Sequence, residues 1–333
     1  MTTMREVAAH AGVSLKTVSR VLNDDRYVTA GVRLRVQASV SELGYQPNLL
    51  AVSFRTGKDM AIGVGVPDIS DPFFATLIQA VEAEARVRGS AVIVTSVGYE
   101  PEQERAGLES LLQRQVIGLV ACPVGSDQSY LRVWQGKTAM VFVDRKPSRL
   151  SADSVIEDDL GGARTGVAHL LTHGHDRIAF LGDASRSPTT VLRRAGYEAA
   201  LMEHDIAIDR DLVYLGGIDR HSITAELSRL RGLEQPPTAL FSSNARCTLN
   251  VVPAIHQAGW PVALVSFGDF PMAASLQPAV TVIDQSPAAV GRAAVERLFT
   301  RIDSPDKRLR RQIVLPVRLV ERSSCGLHES PRG

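Results

Sequence analysis

The chain has little of what marks a secreted, membrane-bound or metal-stapled protein. Its 333 residues include three cysteines, Cys122, Cys247 and Cys325, which lie far apart in no Cys-x-x-Cys or Cys/His ligand spacing. That spacing offers no disulfide framework and no zinc module. The expectation is reduced thiols, with Cys122 a small buried hydrophobe following a strand. No apolar run approaches the roughly 20 residues needed to span a bilayer, and the N-terminus lacks the apolar core of a signal peptide. Those two absences predict a cytoplasmic protein with no membrane partner. There is no P-loop, no Gly-x-Ser-x-Gly and no nucleophile–base arrangement, so the sequence supplies no catalytic residue, metal ligand or cofactor site, and an enzyme is not expected. Gly63-Val64-Gly65-Val66 hints at a dinucleotide loop, but Asp68 stands in the third glycine's place and the glycines fall inside a strand.

What is present is an ordinary globular composition, 44% hydrophobic and 22% charged, in a chain long enough for two or three domains. The formal net charge of +1 hides an uneven distribution. Residues 1–58 hold eight lysines and arginines against four carboxylates, whereas the rest of the chain is slightly acidic. A compact basic head on an acidic body fits a head that meets phosphate and a body that does not.

The head reads as three short helices. Thr2 or Thr3 caps a first helix running to about Ala11, with Glu6 near the capping-box position and Val7, Ala8 and Ala11 on one face. Gly12 supplies the left-handed turn that ends it. Ser14 then caps a second helix whose Val18, Val21 and Leu22 face inward. A third begins after Thr29, carries Val32, Val36, Val40 and Leu43 on one face, and ends at Gly44. The outward face of the second helix presents Leu15, Lys16, Thr17, Ser19 and Arg20, the chemistry of a helix that enters a DNA major groove. Arg20 suits a bidentate pair with guanine, and Thr17 and Ser19 suit phosphate contacts.

These residues closely resemble the head of LacI/GalR-type transcription regulators. The likeness runs from Val7-Ala8 through Gly12-Val13-Ser14 to Thr17-Val18-Ser19-Arg20-Val21-Leu22-Asn23, and again through Glu42-Leu43-Gly44-Tyr45-Gln46-Pro47-Asn48 and Arg55-Thr56-Gly57-Lys58. It continues in the body at Val66-Pro67-Asp68-Ile69-Ser70-Asp71-Pro72-Phe73-Phe74, at Val143-Asp144-Arg145 and at His173-Gly174-His175-Asp176-Arg177-Ile178-Ala179-Phe180. The resemblance implies a homodimer reading a near-palindromic operator in double-stranded DNA, with Ser14, Leu15, Lys16, Thr17, Ser19, Arg20 and Asn23 as the head's DNA contacts. It also implies a hinge, residues 47–55 here, that becomes helical on DNA and adds Ala51 and Phe54 to those contacts. Phe54 stands where the family usually inserts a leucine into the minor groove, and Val52 where an arginine is common. An apolar wedge of this kind unstacks a base step and kinks DNA, and packing of hinge against hinge is the other reading of Phe54.

Past Lys58 apolar runs alternate with amphipathic helices. Residues 61–66, 90–95, 116–121, 139–143 and 154–156 read as five buried strands, and 178–181, 212–215, 239–241, 262–267 and 280–283 as five more, with helices over about 74–87 and 287–302. That alternation predicts parallel sheets covered by helices, in two groups and hence two doubly wound subdomains. The full reading is an all-α helix-turn-helix head plus an α/β body, and the resemblance implies that this body is of periplasmic-binding-protein-like build, binding an effector and carrying the dimer contacts. Residues 1–47 form the head and 48–58 the hinge. Residues 59–324 form an effector-binding and dimerisation domain, and 325–333 a tail. One subdomain takes about 59–160 and 287–310, the other about 161–286 and 311–324.

Ligands in such sheets sit beyond the carboxyl ends of strands. The residues there are Asp71, Phe73, Phe74, Asp144, Arg145, Asp158, Arg193, Asn244, Asp269 and Gln285. Aromatic walls, carboxylates and an arginine fork suit a sugar or related polar metabolite, although Asp158 and Gln285 read equally well as structural caps. The resemblance favours effector contact for Asp144, Arg193 and Asn244. Asn244-Ala245 replaces the family's common Asn-Asp, Ser266-Phe267-Gly268-Asp269 replaces Gly-Phe-Asp-Asp, and the aromatic often found near Ile218 is missing. Those departures disfavour an ordinary hexose and point to a less hydroxylated or anionic ligand, or to a regulator that has lost its effector; the body alone would also suit a solute-binding protein. His173 and His175 flank a helix-ending glycine, a spacing for a helix C-terminus rather than a metal. The run 307–311 reads as a solvated linker. The tail from Ser323 has no leucine heptads of the kind that build tetramers, so a dimer is expected.

Overall fold

The computed structural model describes residues 2–22, 25, 27–45, 61–183 and 187–326. The chain divides into two compact units, residues 1–59 and 60–333. The first holds α1 (Met4–Ala11), α2 (Leu15–Leu22) and α3 (Ala30–Glu42). The boundaries of α1 and the start of α2 have local causes. Thr3 and Glu6 form a reciprocal capping box at the start of α1, and Gly12 ends it at φ 62°. The Ser14 hydroxyl accepts the Thr17 amide at 3.1 Å and so caps α2. Thr29 is extended ahead of α3 but makes no side-chain cap. Val7, Ala8, Ala11, Val18, Val21, Val36 and Tyr45 form the small core between them. The hinge, with Ala51 and Phe54, and the residue Asn23 lie outside the described residues.

The second unit contains two sheets, each six-stranded among the described residues. The chain runs β1 (Ala61–Val66), α4 (Pro72–Val87), β2 (Ala91–Ser96), α5 (Pro101–Gln113), β3 (Gly118–Ala121), β4 (Ala139–Val143) and β5 (Asp153–Glu157). It crosses to α6 (Asp159–Thr172), β6 (Ile178–Asp183), α7 (Pro188–Glu203), β7 (Val213–Gly216), α8 (Arg220–Arg231), β8 (Ala239–Ser242), α9 (Ala245–Ala258), β9 (Ala263–Phe267) and β10 (Thr281–Asp284). It then returns as α10 (Pro287–Asp303) and β11 (Gln312–Leu315) and ends with β12 (Arg318–Val320). The sheet orders are β11-β5-β4-β3-β1-β2 and β12-β10-β9-β8-β6-β7. The two halves are therefore wound identically, and only β12, paired with β10, is antiparallel. No helix among the described residues is long and apolar enough to cross a membrane.

One boundary read from the sequence is corrected. Residues 311–324 do not all belong with the second subdomain, because β11 pairs in parallel with β5, Gln312 opposite Ser154 and Leu315 opposite Glu157. The partly buried Ile313 and Leu315 pack on the core that Val141, Val155 and Leu298 share. The chain thus passes between the sheets three times: after β5, after β10, and between β11 and β12.

Small residues set how closely the layers meet. A Cβ on Gly65, inside β1, would collide with the Leu108 side chain of α5, so this glycine serves helix–sheet packing and not a phosphate loop. Gly196 lets α7 rest on α6, where a Cβ would strike the Leu160 carbonyl oxygen and come within 2.9 Å of the Ala163 methyl. Backbone cannot yield as a side-chain tip can. Gly196→Ala is therefore expected to destabilise the body by about 1–3 kcal/mol, the cost of an overpacked core, read as a lower urea midpoint; an unchanged midpoint would refute the close approach.

Candidate functional sites: an exposed recognition helix and a polar cleft

In the head, Val18 and Val21 are buried and Leu22 packs beside them, which turns the opposite face of α2 outward. Ser14, Leu15, Lys16 and Arg20 are exposed, and Thr17 and Ser19 are half-buried. Leu15, at 45% exposure, is an apolar side chain that the head's own core leaves uncovered. The Ser14 hydroxyl is already engaged, capping α2 and lying 2.9 Å from the Thr17 hydroxyl. Arg20 makes an ion pair with Asp25 at 3.6 Å, a contact that reading α2 alone did not anticipate. An exposed pair of this kind adds about 0–1 kcal/mol, so it aims the guanidinium without committing it.

The body carries a cleft, open to solvent, between the carboxyl ends of the two sheets. The first half contributes Asp71, Phe73, Phe74, Tyr99, Asp144 and Arg145. The second contributes Asp183, Thr189, Arg193, Asn244, Ala245, Arg246 and Gln285. Asp71 caps α4, accepting the Phe73 amide at 2.9 Å, and burial raises its carboxyl above the usual range. Phe73 and Phe74 meet edge to face at 5.1 Å and are almost wholly buried, so they are core as well as wall. Asn244 caps α9 through the Cys247 amide at 2.8 Å.

Two arginines are paired with carboxylates. Asp144, left-handed at φ 64°, lies 2.9 Å from Arg145 Nε in an ion pair that lacks hydrogen-bond alignment, so this buried Nε has no hydrogen-bond partner among the described residues. Asp144 also receives the Cys122 thiol at 3.6 Å. Burial pushes that thiol well above its ordinary value, so Cys122 stays protonated. Arg193 is 4% exposed. Its Nε donates to Asp159 at 2.7 Å, its Nη1 to the Ser243 carbonyl at 2.7 Å, and its plane lies 3.9 Å from the Phe267 ring. Burial lifts Asp159 to about 6 against the pull of Arg193. Arg246 differs. It has no ion-pair partner among the described residues and stacks 4.3 Å from the ring of Tyr99 in the opposite half, bridging the cleft.

Two residues proposed from sequence lie elsewhere. Asp269 is gripped by both terminal nitrogens of Arg322, at 3.1 and 2.6 Å, and caps the Phe270 amide. Asp158 is exposed and caps α6 through the Gly161 amide at 2.9 Å. Tyr99, Asp183 and Arg246 were missed, although Tyr99 and Asp183 obey the same strand-end rule that found the others. Glu157, the last residue of β5, was missed too. It is 2% exposed, and among the described residues neither of its carboxylate oxygens has a hydrogen-bond partner.

The residues define a class: a DNA-reading helical head joined to a two-lobed body with a polar ligand cleft, the build of a ligand-binding transcription regulator. Comparison with known proteins agrees. The family of bacterial regulatory proteins, lacI family, matches residues 3–48, and the periplasmic binding protein-like domain matches residues 167–325. The chain is 29% identical to the ribose operon repressor of Escherichia coli over 332 residues, 98% of this chain and 100% of that one. It is 31% identical to the HTH-type transcriptional regulator GalS of Salmonella typhimurium over 301 residues, 89% of this chain and 88% of that one. A crystal structure of the lac repressor dimer bound to operator and the anti-inducer ONPF matches with a TM-score of 0.86 at 28% identity, covering 98% of this chain and 99% of that one. The chain belongs to the lacI family of DNA-binding transcriptional regulators.

Glu157 gives a pH test. Burial, with Asp144 and Asp159 nearby, raises its carboxyl well above the usual 4.5. The unfolded chain releases this proton first. The stabilising contribution is therefore complete below about pH 4.5 and is lost as pH rises toward the folded value. Glu157→Gln keeps the shape and removes the titration. The variant should gain thermal stability relative to wild type as pH is raised from 5 to 8; a melting-temperature difference that stays constant over that range would contradict a buried neutral acid.

Proposed function

We propose that this protein is a ligand-responsive repressor that binds a near-palindromic operator as a homodimer, with a small polar effector in the cleft between its two lobes. The observation that carries the reading is the pairing, in one chain, of an exposed recognition helix bearing Leu15, Lys16 and Arg20 with a cleft built from strand ends. The likeness to the lac repressor dimer on its operator supports it. In this reading residues 1–47 are the DNA-binding domain, 48–58 the hinge and 59–324 the effector-binding and dimerisation domain.

Each head alone makes few contacts, and dimerisation makes the second half-site an intramolecular event. Lys16 adds phosphate attraction and Arg20 reads a base by exchanging Asp25 for a guanine edge. The effector acts through its differential affinity for the DNA-competent and incompetent lobe arrangements, a coupling of about 1–3 kcal/mol in typical cases. Arg193 is committed to Asp159 and the Ser243 carbonyl, which leaves Arg246, together with Arg145 whose Nε makes no hydrogen bond to Asp144, to receive a negative group on the ligand. That supports an effector with an anionic substituent over a neutral hexose. Phe54 is proposed as the minor-groove wedge.

The test is salt-dependent binding to a short palindromic DNA carrying a central CG step. Deleting residues 1–58 should abolish it and leave ligand-induced thermal stabilisation intact. Arg20→Ala should cost about 1–3 kcal/mol on the preferred sequence and flatten discrimination at one base position. Phe54→Ala should weaken specific binding more than non-specific binding. A full-length chain that binds small molecules but no DNA near its own gene would be a solute-binding protein, and the repressor reading would fall.

A further inference from the structure

The C-terminal end of α6 carries a histidine pair, His169 in its last turn and His173 at its cap, that the His173–His175 spacing conceals. His169 and His173 are four residues apart, one turn, and so share a face. Their rings stand 4.4 Å apart, centroid to centroid. Glu321, one residue past β12, comes to the same spot. One donor atom from each of the three residues lies within 4.8 Å of the other two. We propose that His169, His173 and Glu321 form a binding site for a divalent first-row transition-metal ion of the Zn²⁺ type.

Three independent features support it. The His173 Nδ1 lies 2.9 Å from the His169 carbonyl oxygen. A carbonyl only accepts, so Nδ1 carries the proton, and the lone pair of the neutral ring is left on Nε2. Metal-binding histidines are commonly oriented in this way, by a second-nitrogen hydrogen bond to a carbonyl or carboxylate. The Nε2 of His169 is buried and has no hydrogen-bond partner among the described residues, an unsatisfied polar atom that a metal bond would satisfy. Glu321 is exposed and has no ion pair among the described residues, so its carboxylate is available to complete the set.

Two imidazoles and one carboxylate are the donor set of open zinc sites, which leave a fourth position to water. Bonds of about 2.0–2.2 Å place tetrahedral donors roughly 3.4 Å apart. Reaching that from at most 4.8 Å requires side-chain adjustments of about an ångström, for which the exposed Glu321 chain has the most freedom. Carboxylate and imidazole together favour Zn²⁺, Co²⁺ or Ni²⁺ over Mg²⁺ or Ca²⁺. The ion would tie the C-terminal turn of α6 to the end of the three-residue strand β12, the last strand of its sheet. None of the three residues lines the ligand cleft, so the site would act on the stability of the second lobe.

The experiment is titration of the full-length, tag-free protein with Zn²⁺ by calorimetry, and with Co²⁺ by visible absorption. One ion should bind per chain, the Co²⁺ complex should show tetrahedral d–d bands, and Zn²⁺ should raise the melting temperature in a chelator-reversible way. His169→Ala and Glu321→Gln should each weaken binding at least roughly tenfold while melting like wild type without metal, which separates loss of a ligand from loss of fold. Binding that survives both substitutions, or no Zn²⁺ or Co²⁺ binding at millimolar concentration, would overturn the site.

Discussion

Parallel strands all end on the same edge of their sheet, and that constraint places nearly every functional side chain in the body. Each of the two sheets is wound in the same order, so each delivers its β-to-helix turns to one rim. The turns after β1, β2 and β4 meet those after β6, β8 and β10 across the cleft. The helices that follow begin there as well, and their caps do double duty. Asp71 and Asn244 satisfy amides at the starts of α4 and α9 while lining the cleft. Their geometry is therefore fixed before any ligand arrives, which lowers the cost of ordering the site.

The same arrangement buries charge. Arg193 bonds Asp159 and the Ser243 carbonyl and stacks on Phe267. Breaking one side of such a pair leaves an uncompensated charge and costs more than the pair is worth. Glu157 sits among these groups with no hydrogen-bond partner among the described residues, and burial raises its carboxyl well above the usual range. Arg246 is the exception, a cation laid on Tyr99 of the opposite lobe. It spans the cleft through a contact worth roughly 0.5–2 kcal/mol, weak enough to be exchanged for a ligand group.

How much of this was legible follows from the range of each interaction. The capping box at Thr3, the Gly12 turn and the inward face of α2 are local, and the sequence states them. The apolar runs named the strands for the same reason. The allegiance of β11 was not legible, because a four-residue strand can join any free edge and only the pairing with Ser154–Glu157 decides. Asp269 looked like a cleft residue until Arg322, fifty-three positions later, claimed it. Arg246 was passed over because its partner Tyr99 belongs to the other half of the body. The His169–His173 spacing was present in the sequence, but its third member, Glu321, arrives from the far end of the chain.

The reversed direction of β12 follows from the crossing it completes. β11 runs toward the cleft, and the chain then has only Pro316 and Val317 before β12 begins. A strand entering the second sheet from the cleft side must run against the strands that finish there. A link this short holds Leu315 and Arg318 within about 10 Å of each other whatever the lobes do. The lobes are tethered like two covers on a narrow spine: they can swing or twist about that line, but they cannot draw apart. Relative movement of the lobes is therefore confined largely to swing and twist about that line.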